Sequence, residues 1–194
     1  WYAPDALAGD DLTPLSLMDT DCATGGADPY NIDIQIQNDY NGQAISCNTA
    51  ADGALTVNVT GGVGPFSFQW VGGSLPPTFT QSINGLAAGT YTVLVTDLGQ
   101  STICSETIVL SAPPAITLLD FTPNPPSCTS LCDGSATVLA IGGTGTLDYN
   151  WSNGETGQVA TMLCNGNNTL TVTDANDCVY TTDIALALDT LYAN

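Results

Sequence analysis

Lysine, arginine and histidine are all absent from the 194 residues. An average soluble chain is about 25% charged, about half of it basic, so about twenty cations are missing. Nucleic acid is excluded as a partner, because neutralising its phosphates takes Lys or Arg. An anionic membrane surface is disfavoured for the same reason. No ion pair between side chains can form. Without His or Lys as a base, or Arg or Lys beside a developing oxyanion, the usual catalytic routes lack their groups, and no enzyme is expected. Trypsin has no cleavage site. Long apolar runs are missing as well: none approaches the ~20 residues of a membrane helix, so no membrane insertion is expected. The chain shows neither an initiator Met nor a signal peptide, and reads as processed or excised from something longer. No segment carries a convincing helical period.

Nineteen acids remain, seventeen Asp and two Glu, for a net charge of −19. Mutual repulsion keeps such a surface soluble and is relieved by cations. The composition fits an acidic lineage under drift or selection to survive proteases outside the cell. Calcium is the one ion to consider, since Asp19, Asp21, Asp52, Asp133, Asp174 and Asp177 lie in expected loops where oxygen ligands can converge. None has the spacing of an EF-hand. The favoured reading of Asp in turns is capping of backbone amides, with no cofactor. Apolar residues make up 43%, enough for packed cores.

The chain repeats itself. Cys47 to Trp70 (CNTAADGALTVNVTGGVGPFSFQW) returns at Cys128 to Trp151 (CTSLCDGSATVLAIGGTGTLDYNW) at a constant offset of 81. Asp52 and Gly53 fall on Asp133 and Gly134; Gly61, Gly62 and Gly64 fall on Gly142, Gly143 and Gly145. A second shared stretch, Leu86 to Asp97 and Leu163 to Asp174, is offset by 77. A fixed period of this kind decides the architecture. It predicts an N-terminal arm or end of a preceding unit (1–30), two units (31–112 and 113–188) and a tail (189–194).

Each unit reads as short alternating strands. Ile32, Ile34 and Ile36 share one face of Asn31 to Asn38; Leu55, Val57 and Val59 share one face of Ala54 to Thr60. Phe66, Phe68 and Trp70 do so in Pro65 to Val71, and Tyr91, Val93 and Val95 in Gly89 to Asp97. Thr78 to Asn84 is a weaker strand, and Thr102 to Leu110 closes the unit. The residues around Ile184 to Leu188 alternate with period two. Short β-branched strands bounded by Gly and Pro indicate an all-β fold of antiparallel sandwiches.

The pattern Cys-Asn-x-x-x-x-Asp-Gly, then Gly-Gly-x-Gly, a strand ending in Trp, Leu-x-x-Gly-Thr-Tyr-Thr-Val-x-Val-Thr-Asp and a late Cys resembles the SprB repeat of large Bacteroidetes cell-surface adhesins. Both copies fit it, over about residues 31 to 188, with Asn168 standing where the first copy has Tyr91. The resemblance implies two tandem immunoglobulin-like sandwiches, secretion to the cell surface (commonly by the type IX route), and an adhesive or scaffolding role in gliding organisms.

Seven cysteines suit an oxidising compartment, without the clustered CxxC pairs of zinc sites. Internal comparison assigns them. Cys47 and Cys104 stand alone in the first unit and are expected to pair, as are their counterparts Cys128 and Cys178. Cys132 and Cys164 are extra in the second unit; the first has Ala51 and Ala87 there, so they are expected to be bonded to each other. Cys22 is left unpaired or intermolecular.

Asn58, Asn150 and Asn167 head Asn-x-Ser/Thr sequences, and Thr190 lies in an Asp-Thr-Leu resembling a Bacteroidetes O-glycosylation motif. The leading expectation is a non-enzymatic extracellular module of a surface adhesin or fibre, partnered by neighbouring repeats or other copies of itself. A second is a filament subunit whose arm pairs with the next copy by strand addition. A third is a carbohydrate-binding module meeting surface glycans through Trp1, Tyr2, Tyr30 or Tyr40.

Overall fold

The computed structural model describes residues 18–19 and 30–188. Among these there is no helix. Seven strands fall in the first part of the chain: β1 (Met18–Asp19), β2 (Tyr30–Ile36), β3 (Gly53–Gly61), β4 (Phe66–Gly72), β5 (Ser82–Leu86), β6 (Gly89–Asp97) and β7 (Thr102–Leu110). Six follow: β8 (Thr117–Asn124), β9 (Gly134–Ile141), β10 (Asp148–Trp151), β11 (Val159–Leu163), β12 (Gly166–Thr173) and β13 (Val179–Leu186). The arm before residue 18, Cys22, Asp21 and the tail with Thr190 lie outside the described residues.

The sheets repeat as the sequence does. The first copy forms β2-β3-β5 and β4-β6-β7; the second forms β8-β9-β11 and β10-β12-β13. In each copy the first, second and fourth strands make one sheet, and the third, fifth and sixth the other. That is the strand order of an immunoglobulin-like sandwich reduced to six strands. The added strand β1 pairs in parallel with β7, Met18 opposite Ile103 and Asp19 opposite Cys104.

Packing groups the residues less simply than the period does. One compact unit comprises the described residues through Gln35 with 56–83 and 90–108. The other comprises 36–55, 84–89 and the residues from Val109 onward. Within the first, Ile32, Val57, Trp70, Tyr91, Val93 and Val95 are buried, as alternation requires. Phe66 and Phe68 are only half-buried, and Ile36, the last residue of β2, is exposed. Tyr30, expected to be an exposed sugar-stacking ring, is instead 3% exposed. Its hydroxyl donates to the Val95 carbonyl (2.7 Å) and accepts from the Cys104 N–H (3.0 Å). A tyrosine at the start of an alternating strand points to the core as its isoleucines do.

Within the second unit, both sheets of the second copy share one core of Val138, Tyr149, Trp151, Leu163, Leu170, Val172, Ile184 and Leu186 with smaller neighbours. The Trp151 indole donates to the Gly157 carbonyl at 3.0 Å, and in the first copy the Trp70 indole donates to Thr80 at 2.9 Å. Each repeat thus buries one indole and satisfies its single donor. The expected strand Thr78 to Asn84 is displaced to β5, Ser82–Leu86; Thr78 itself makes only a lone bridge to Trp70.

Candidate functional site

Two features recur in both copies and lie in the loops. The first joins the glycine turn to the aspartate that ends the Val-Thr-Asp stretch. Asp97 is fully buried, and its carboxylate accepts from the amides of Val63 (2.8 Å), Gly64 (3.1 Å) and Gly99 (2.8 Å). The Val63 amide chiefly, with Gly99, Gly64 and Gln100, holds this carboxyl below its ordinary range against the opposing effect of burial. In the second copy Asp174, 4% exposed, accepts from Thr144 (2.7 Å), Asn176 (2.8 Å) and Cys178 (2.9 Å). The glycines make room. A Cβ on Gly62 would lie 2.7 Å from Asp97 Oδ2, and one on the equivalent Gly143 would lie 2.8 Å from Asp174 Oδ2. Both have positive φ, +74° and +68°. Sequence reasoning put Asp174 among calcium candidates and passed over Asp97; the recurrence of Asp97 in the repeat was the signal for it.

The second feature is the early-cysteine loop. Asp52 accepts from the Ser46 amide (3.2 Å), and Asp133 accepts from the Ser127 amide (2.8 Å) and hydroxyl (2.6 Å). Burial pushes the Asp52 carboxyl up, but the Ser46 hydrogen bonds outweigh it and hold it below the usual range. Asp133 is held low chiefly by the Ser127 hydroxyl. These Asp–Ser pairs shape the loops that present Cys47 and Cys128.

The disulfides correct the expected pairing. Cys47 bonds Cys178, with Cα atoms 5.6 Å apart and 131 residues between them in sequence. Cys128 is a free thiol, so neither Cys47–Cys104 nor Cys128–Cys178 forms. Cys104 is disulfide-bonded. Cys132 bonds Cys164, as the paired Ala51 and Ala87 foretold. The reason is packing: 36–55 belongs to the same compact unit as 174–178, whereas Cys104 belongs to the other. Asn176 donates to the carbonyls of Tyr40 (3.1 Å) and Ser46 (3.3 Å), and Asn41 donates to Ala175 (3.3 Å). Asn48 donates to Pro113 (3.1 Å). The bridge is one of several bonds between the loop of one copy and the loop of the next. A cavity of about 380 Å³ lies beside it, lined by Cys47, Asn48, Pro113, Ile116, Asp177 and Tyr180 among others.

The second bridge also explains the Asn168 substitution. Tyr91 is buried in the first copy, its ring against Gly73. In the second copy Asn168 is 5% exposed and holds the Cys164 and Gly166 carbonyls (2.9 and 3.2 Å). An amide tying down the bridged turn has replaced an aromatic ring.

Asn58, Asn150 and Asn167 are all exposed, and all lie on strands (β3, β10, β12). The Thr169 hydroxyl of the third sequence donates to Asp183 (2.8 Å). Among the described residues no three His, Cys, Asp or Glu side chains gather as metal ligands, and no helix is long and apolar enough to cross a membrane.

Residues 43–75 match the family model of the SprB repeat. That span covers the early-cysteine loop, β3 and β4. No curated protein matches. Among the solved structures that are similar, two serve as examples. One holds three N-terminal domains of the Highly Immunogenic Outer Capsid protein (Hoc) of bacteriophage RB49: 20% identity, 81% of this chain and 59% of that chain, TM-score 0.46. The other is a C-terminal 282-residue fragment of intimin in complex with the intimin-binding domain of the translocated intimin receptor: 16% identity, 80% of this chain and 63% of that chain, TM-score 0.40. This chain therefore spans about three fifths of the length of each.

Proposed function

We propose that this chain is a non-enzymatic, extracellular structural and adhesive module of a surface adhesin or fibre, made of two SprB-type units, 31–112 and 113–188. The observation that carries the reading is the Cys47–Cys178 bridge, which ties the loop of one copy to the loop of the next. Such staples belong to oxidising compartments. They suit a part that transmits load. The match at 43–75 agrees, since SprB repeats occur in large surface proteins. The carboxylates have work in the same framework: Asp52, Asp97, Asp133 and Asp174 hold backbone amides. Antibodies raised against the chain should label intact producing cells and material shed from them. Labelling only after permeabilisation would overturn the reading.

A second reading, a filament subunit built by strand addition, draws on β1. Two residues of the arm already pair with the outer edge of β7, a place where the corresponding strand of another copy can add. Sedimentation of the full chain against one starting at Asn31 tests it; equal association of both refutes it.

A further inference from the structure

The bonded cysteines are out of step with the repeat. Cys47 and Cys128 are equivalent early cysteines, and Cys104 and Cys178 are equivalent late ones. The bond that forms runs from the early cysteine of one copy to the late cysteine of the following copy. Cys104, the late cysteine of the first copy, is bonded, and not to the early cysteine of its own copy. Cys128, the early cysteine of the second copy, is free. It sits in the same loop as Cys47, with Asp133 gripping Ser127 as Asp52 grips Ser46. We propose that Cys128 is the open end of a head-to-tail disulfide ladder, and that its partner is the late cysteine, Cys104, of a second copy of this chain.

The chemistry needs no external oxidant. The Cys128 thiolate attacks Sγ of Cys104 in the second copy, and a new S–S bond forms between chains. The sulfur formerly bonded to Cys104 leaves as a thiolate and takes a proton from water, so one disulfide is consumed for each one made. Two features favour the attack. The Ser130 hydroxyl lies 3.3 Å from Cys128 Sγ and, first among its neighbours, holds the thiol below its usual range. Cys104 is 2% exposed, and its strand is flanked there by the two-residue β1, a ladder short enough to open readily. A bond between Cys128 of one chain and Cys104 of another leaves each chain with one unused member of the pair, so the link can pass from copy to copy.

The inference rests on the reading of the chain as an extracellular module. Its test is separate. Full-length chains, unlabelled and nitrogen-15-labelled, are mixed in a glutathione redox buffer, run on a non-reducing gel, digested with pepsin and mapped. The expected result is a ladder of oligomers in which the Cys128 peptide is joined to the Cys104 peptide in mixed light–heavy pairs. Cys128→Ser should abolish the ladder while keeping the Cys47–Cys178 bridge. Recovery of Cys128 only as a thiol or a glutathione adduct, or joined to another Cys128, overturns the proposal. None of these results bears on surface labelling.

Discussion

Pulling the chain by its two ends measures the bridge directly. With Cys47 bonded to Cys178, the load passes from one sulfur to the other, and the stretch between them, a sequence separation of 131, carries none of it. A fully extended chain spans about 3.3–3.6 Å per residue, so the bridge withholds about 450 Å of extension. Reducing the disulfides should release that length. The pairing that closes each copy on itself would withhold less. Cys47 to Cys104 and Cys128 to Cys178 are separated by 57 and 50 residues, and together they hide about 370 Å. The assay is single-molecule force extension through terminal handles, first oxidised and then after addition of a phosphine reductant, comparing the final contour lengths. A gain near 370 Å, or none, refutes the staggered pairing. The bridge also matters at rest. Closing a loop of this size constrains the unfolded chain by about 5 kcal/mol in the chain-entropy model. Reduction should therefore lower the melting temperature sharply even without load.

Three further outcomes are expected. The folded state holds the carboxyls of Asp52, Asp97, Asp133 and Glu155 below their ordinary values of 3.8 and 4.5, so their stabilisation is full above those values and is lost as pH falls through the depressed ones. Burial pushes Glu106 up, which gives the opposite slope as pH rises through its raised value. With four groups against one, the melting temperature should fall on acidification below about pH 4; a steady rise, as relief of repulsion alone would give, refutes this. Gly143→Ala should destabilise more than Gly154→Ala in urea titrations. Both sites have positive φ, but only at Gly143 does the new Cβ meet Asp174, the other being open within 4 Å; a cost above about 1 kcal/mol is expected at Gly143. Tyr30→Phe strips the hydroxyl from the Val95 carbonyl and the Cys104 amide and should cost about 1–3 kcal/mol by the same measurement; no change would mean that water replaces it.

Strands were legible because their signal is local. Alternation in Gly89 to Asp97 predicts β6 to the residue, the stretch Thr102 to Leu110 read as closing the unit is β7, and the 81-residue echo predicts that one topology occurs twice. Cys132–Cys164 was legible because two alanines replace both partners at once. The other bridges were not, because a repeat says which positions are equivalent and not whether equivalents bond within a copy or across to the next. Only packing shows that Asn41, Ser46 and Asn48 meet the other copy's loop at Pro113 and Asn176. Tyr30 was misjudged because a tyrosine next to a predicted arm looks exposed until its hydroxyl is found in the core.

The absence of cations also explains why glycine turns and Val-Thr-Asp endings travel together. A buried carboxylate is expensive unless something donates to it, and most chains supply Arg or Lys. This one has neither. Asp97 and Asp174 are nevertheless the most deeply buried acids among the described residues, and each sits against three backbone amides. The glycine turn delivers two consecutive amides, Val63 and Gly64, to Asp97 and one, Thr144, to Asp174, through the left-handed conformations that Gly62, Gly64, Gly143 and Gly145 provide. The glycines and the aspartate are thus one anion-binding device with its anion built in. Short of a proline, no side-chain mutation removes a backbone amide, so such a device holds its carboxylate in a chain without one basic residue, where a salt bridge has no partner.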